Sequence, residues 1–252
     1  MVRDINKLEF SKLKLKEKLS KSRNYDDALN VAWELFYKTD LKLQAERCGA
    51  VAVCGQWSGF EPRDDDGGGR GKDNTSGFDV EMTGIEVKFM NRRYLLSIDN
   101  SDIFTVGGAE VPIHYKILIL HCFLYHNGKK PTGEWISFLD IKDGLLYSNI
   151  YKSRTSLPLK YALKDNPGLL IDAAEHLGGN KSDSGGDVSA IIETFHNMPI
   201  TVIFHQGDED FQPETTFLFD KGIRDILPAE DVVVLAESLG REIRKYIREK
   251  GK

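Results

Sequence analysis

The chain has 252 residues, 40% of them hydrophobic and 29% charged. That balance supports a sizeable packed core and excludes wholesale disorder, a collagen-like repeat or a disulfide scaffold. Lys and Arg total 34 against 39 Asp and Glu, a net charge of −5, which argues against a nucleic-acid partner. Three cysteines fit a reducing cytoplasm. No apolar run approaches the length of a membrane span.

Residues 1–24 read as a basic arm, with Lys7, Lys12, Lys14, Lys16, Lys18, Lys21 and Arg23 outnumbering Glu9 and Glu17. The arm has no apolar h-region, so it is no secretory signal. It reads first as a solvated extension, and second as an arm for an acidic partner or a membrane surface.

A helix is predicted over 26–38, capped by Asp26 or Asp27, with Ala28, Val31, Ala32, Leu35 and Phe36 on one face. A second short helix runs from Asp40 to Gly49, and a strand from Val51 to Trp57. The segment from Pro62 to Gly77 has nothing to bury and is expected to be a disordered Gly/Asp-rich loop insertion.

Alternation at Phe78, Val80 and Met82, then at Ile85, Val87 and Phe89, predicts strands. Asn91-Arg92 turns the chain into a further strand at Tyr94–Ile98. Pro112 opens a helix to about His126 that is apolar on nearly every side, so it belongs at the centre of the core. Trp135–Phe138 is a short strand or a turn before a short helix. Pro158 starts one or two helical turns, and Asn166-Pro167 caps a helix through Leu177. Strands follow at Asp187–Phe195, Ile200–His205 and Thr215–Phe219, the first two joined by a His196–Pro199 turn. Pro228 begins a last helix with Val232, Leu235, Leu239, Ile243 and Ile247 on one face. The expected fold class is α+β: a single domain over 25–247, with an antiparallel or mixed sheet packed by helices and a tail over 248–252.

Familiar chemical motifs fail on their spacing. Gly71-Lys72 is followed by Asp73 where a phosphate loop needs a hydroxyl. Gly69 and Gly71 lead to Asn74 and no helix, against the dinucleotide fingerprint. Counting from Asp64, Gly68 and Thr75 stand where a calcium loop needs ligands. Asp183-Ser184-Gly185-Gly186 lacks the preceding glycine of a trypsin-like serine loop. Cys48, Cys54 and Cys122 have no metal-ligand spacing and read as structural thiols.

The order of motifs in the second half is distinctive. It runs Ile117-Leu118-Ile119-Leu120-His121-Cys122, Gly133-Glu134-Trp135-Ile136-Ser137-Phe138, Leu177-Gly178-Gly179, Gly186-Asp187, Gly207-Asp208-Glu209-Asp210-Phe211, Leu218-Phe219-Asp220 and Leu227-Pro228-Ala229-Glu230-Asp231. Over about residues 25 to 247 this resembles the family catalogued as domain of unknown function 3786. The resemblance implies an anaerobic setting in which some relatives carry a four-cysteine iron–sulfur motif, and it carries no reaction. The chain departs from that pattern at His205, where an aromatic is usual, at Asp210 in place of Glu, and at Cys122 in place of Tyr. It also lacks the four cysteines, so an iron–sulfur or corrinoid role would come through a partner protein.

Two groupings stand as candidate sites. Asp187, Asp208, Glu209 and Asp210, with Asp220 and Glu230 near them in the pattern, form an acidic set suited to a divalent cation or to acid–base chemistry. The structural alternative is that they serve turns and a helix N-terminus. His121 and His205, with His126, are the second grouping. His121 interrupts an apolar helix and needs a partner, which is either a core hydrogen bond or a corrinoid, haem or soft-metal ligand. The function expected is a cofactor- or partner-binding accessory module, with a metal-dependent enzyme using the acidic set as the alternative.

Overall fold

A computed structural model describes residues 25–54, 82–105 and 108–250. The basic arm, the 62–77 insertion and the Phe78 and Val80 alternation lie outside the described residues. Helix α1 (Tyr25–Tyr37) and helix α2 (Leu41–Arg47) lead into strand β1 (Val51–Cys54). Strands β2 (Met82–Phe89), β3 (Arg92–Ser97) and β4 (Asp102–Thr105) complete an antiparallel sheet in the order β1-β2-β3-β4. Met90 and Asn91 join β2 to β3, both with positive φ, as a two-residue hairpin of right-handed twist requires.

Helix α3 (Ile113–Tyr125) buries ten of its 13 residues. Each large aliphatic or aromatic side chain so buried contributes about 2 kcal/mol. One side of α3 packs against α1, where the Phe36 and Phe123 rings lie 5.7 Å apart. The buried Gln44 on α2 donates from Nε2 to the carbonyls of Phe123 at 2.6 Å and His126 at 2.9 Å. These are orphan acceptors at the C-terminus of α3, and the amide satisfies them where no water reaches.

The second sheet is also antiparallel, in the order β5-β9-β8-β7-β6. Its strands are β5 (Trp135–Ile136), β6 (Asn180–Lys181), β7 (Val188–Phe195), β8 (Met198–His205) and β9 (Glu214–Asp220). The sequence places Met198 and Pro199 in a turn, but both belong to β8. The turn is only His196-Asn197, with Asn197 at φ 55°, and a bulge at Glu193–Phe195 absorbs the offset. Pro199 pairs with Glu193 alone, since β9 joins β8 only from Ile200 onward, so its missing N–H breaks no second ladder. The Met90 amide donates to the Thr194 carbonyl at 2.9 Å and links the two sheets.

Helices α4 (Gly144–Arg154), α5 (Ser156–Leu163) and α6 (Leu169–His176) all pack on the last helix, α7 (Ala229–Lys250), which also touches α3. The Val232, Leu235, Leu239, Ile243 and Ile247 stripe of α7 is buried as its spacing predicts. The helix continues to Lys250, so residues 248–250 are helical. Buried residues of both sheets, α1, α3 and α7 belong to one hydrophobic cluster.

Candidate functional site

His121 faces α7 from the middle of α3. Its Nδ1 lies 2.7 Å from Asp231 Oδ2, and the two side chains are 7% and 14% exposed. A carboxylate only accepts, so Nδ1 is the donor in this contact. Nε2 is buried without a hydrogen-bond partner among the described residues. With Nε2 closed to solvent, a haem or corrin metal could reach it only if the core around it opened. Behind it, Cys122 is fully buried, and burial pushes its thiol well above the ordinary value, with Asp231 and Cys48 adding to the effect. His126 is spent on the backbone: Nε2 meets the His196 carbonyl at 2.7 Å, and Nδ1 accepts from the Gly128 amide at 3.0 Å. Burial holds its imidazole below the ordinary value.

His205 lies apart from this buried pair, exposed at the end of β8 and paired in register with Glu214 of β9. The acidic set is exposed around the same end of the sheet. Asp187 Oδ2 accepts from the Gln206 amide at 2.8 Å. Asp208 Oδ1 accepts from the amides of Asp210 and Phe211, both at 2.9 Å, which closes a turn on its own backbone. Glu209 and Asp210 point to solvent. Among the described residues no three His, Cys, Asp or Glu side chains are gathered to hold a metal.

Asp220 and Glu230 connect elements. Asp220 is 4% exposed and accepts from the amides of Thr132, Gly133 and Gly222 and from the Thr132 hydroxyl. Burial raises its carboxyl, but these donors outweigh it and hold the group below the usual carboxylate range. Glu230, in the first turn of α7, accepts from the Tyr147 hydroxyl of α4 and pushes that phenol up to about 12.

A cleft of about 470 Å³ opens between α4 and α5 on one side and the start of β9 on the other. That volume lies in the range of ligand sites. Phe138 and Tyr151 form an aromatic wall, stacked at 4.1 Å with 7° between planes. Leu157, Pro213 and Phe217 add apolar surface, and Ser148, Ser156, Thr215 and Thr216 supply hydroxyls. Lys152 and Lys160 flank the cleft, and neither forms an ion pair among the described residues. The Lys160 ammonium rests 4.9 Å over the Tyr161 ring. Glu214 is the one carboxylate in the lining.

Thr215 Oγ1, on a strand residue that lines this cleft, is buried with no hydrogen-bond partner among the described residues. The Thr155 hydroxyl beside the Tyr151 phenol donates to the Tyr151 carbonyl at 2.7 Å and keeps lone pairs to interact with the phenol. Buried polar groups without partners are uncommon in folded proteins. Gly144 sets the cleft wall. A Cβ there would come within 2.2 Å of the Phe138 carbonyl oxygen, so only glycine lets α4 start so close to the turn carrying Phe138. Of these cleft residues only Phe138 falls in one of the sequence motifs, Gly133–Phe138, and none is among the candidate site residues read from the sequence. The signal present was the solvent-facing apolar set Leu139, Leu145, Leu146 and Ile150 beside Lys152.

The family described as "Domain of unknown function (DUF3786)" matches residues 73–242, and the chain belongs to it. No curated protein and no solved structure matches the chain. No helix among the described residues is long and apolar enough to cross a membrane.

Proposed function

We propose that this member of the family is a non-catalytic binding module whose ligand or partner occupies the cleft between α4, α5 and β9. The observation that carries this is the cleft itself: ligand-sized, walled by stacked aromatic rings, and lined by the hydroxyl-bearing side chains of Ser148, Ser156 and Thr216. The titratable groups lend no support to a reaction. His121 is paired with Asp231 inside the core, His126 with backbone groups, and Asp187 and Asp208 with turn amides. In the setting that the sequence resemblance implies, an iron–sulfur or corrinoid protein is the first partner to test.

The test uses 8-anilinonaphthalene-1-sulfonate, an amphipathic probe that fluoresces when shielded from water. Wild-type protein should show one saturable site. Ser148→Trp, which fills the cleft from α4, should lose it without a change in melting temperature. A wild type with no saturable site, or a folded Ser148→Trp with unchanged binding, contradicts the proposal.

A further inference from the structure

Helices α4 and α5 repeat one spacing at the cleft. Ser148 and Lys152 stand four residues apart on α4, and Ser156 and Lys160 four apart on α5. Residues at i and i+4 share a helix face, one turn above the other. All four side chains line the cleft, so each helix brings a hydroxyl and an ammonium group to the same space. The hydroxyls that lie between them in the chain are used otherwise: Ser153 and Thr155 donate to the carbonyls of Ile150 and Tyr151.

The charge of this wall is not compensated. Neither lysine forms an ion pair among the described residues, although Arg154 beside them reaches Glu237. Glu214, the one carboxylate of the lining, is exposed on the β9 side. Two cations against one carboxylate leave the cleft positive in a chain whose net charge is −5. A local excess of that sign draws an anion to the cleft. The lining also keeps apolar surface at Leu139, Leu157 and Pro213, none of them fully buried. Ligand sites combine an apolar lining with a few polar groups that fix orientation.

We propose that the cleft takes a small organic anion. Its apolar body lies against Leu139, Leu157 and Pro213. Its carboxylate or phosphate head is held by the ammonium groups of Lys152 and Lys160, with the Ser148 and Ser156 hydroxyls donating to it. To reach the head, Lys160 exchanges its place over the exposed Tyr161 ring for a charge-assisted hydrogen bond. The inference rests on the binding-module proposal and names its ligand class.

The experiment measures binding by calorimetry for four compounds that share one body and differ in head: 1-naphthoate, 1-naphthyl phosphate, 1-naphthalenemethanol, and 1-naphthylmethylamine, a cation at neutral pH. Both anions should bind wild-type protein, the alcohol about tenfold more weakly, and the amine more weakly still. Lys152→Gln and Lys160→Gln should each weaken the anions about threefold, and together about tenfold, with the alcohol unchanged. Ser148→Trp should abolish binding of all four. Tighter binding of the phosphate assigns the head as a phosphate ester, and tighter binding of the naphthoate assigns it as a carboxylate. Equal binding of the anions and the alcohol, or anion binding unchanged in the double lysine variant, overturns the inference and leaves the binding-module proposal standing. So does the absence of binding by all four while the anilinonaphthalene probe still saturates one site. If that probe fails as well, the binding-module proposal falls with it.

Discussion

His121 Nδ1 and Asp231 Oδ2 meet at 2.7 Å across the interface between α3 and α7, 110 residues apart in the chain. The pair joins the most buried helix to the first turn of the longest one. A negative side chain at that helix start also complements the helix dipole.

Removing the imidazole leaves a largely buried carboxylate without its donor. His121→Ala should lower stability by about 2 kcal/mol or more, and Asp231→Asn, which keeps an acceptor oxygen, by about 1 kcal/mol. Urea unfolding of the single and double variants measures this. Additive losses would show that the two residues are not coupled.

Burial holds the His126 imidazole below its ordinary value, so the unfolded chain binds the proton more readily. Its contribution is complete above the unfolded value of about 6.5 and is lost as pH falls through the lower folded value. Asp220 has the same sign at a more acidic window, full above about 3.9 and lost as pH falls through its depressed folded value. Unfolding free energy against pH should therefore fall in two separate steps. His126→Gln should shrink the upper step, to which His114 contributes with the same sign, and Asp220→Asn the lower, to which Asp140 contributes.

Gly144→Ala places a methyl group against the Phe138 carbonyl. Overpacking of this kind costs about 1–3 kcal/mol. Because Phe138 walls the cleft, the variant should also weaken the anilinonaphthalene probe while leaving the pH steps of His126 and Asp220 in place. An unchanged melting temperature would mean that α4 moves away without cost.

The three thiols should separate by accessibility. Cys54 is exposed, whereas Cys48 and Cys122 are buried and the Cys122 thiol is pushed up. An aromatic disulfide reagent should therefore titrate one thiol promptly and the other two only on unfolding. Prompt reaction of all three would place an opening at the α2–α3 contact.

Much of the fold is legible from periodicity because burial there is regular. Helix α3 is apolar on every side and is buried on nearly every side, and the α7 stripe falls on its core face. Helix α4 is illegible for the opposite reason. Leu145, Leu146 and Ile150 face solvent while Tyr147 and Tyr151 face inward, so its pattern has no apolar face to detect. Strands β4 and β6 are too short for alternation to register. The need of His121 for a partner is visible in its apolar run, but the partner is not, because only tertiary packing brings Asp231 to it. The cleft is hidden more deeply still. It depends on where a ladder stops after Ile136, and no local pattern encodes that.

The most direct measurement is residue-resolved: backbone amide chemical shifts of the labelled protein, followed as the anilinonaphthalene probe is added. The cleft account predicts that the shifts concentrate at residues 137–139, 148–160 and 212–217, while the amides around His121, Asp231 and Asp208 stay still. Shifts centred on α3 and the start of α7, or on the Asp187–Asp208 end of the sheet, with the cleft silent, would contradict it.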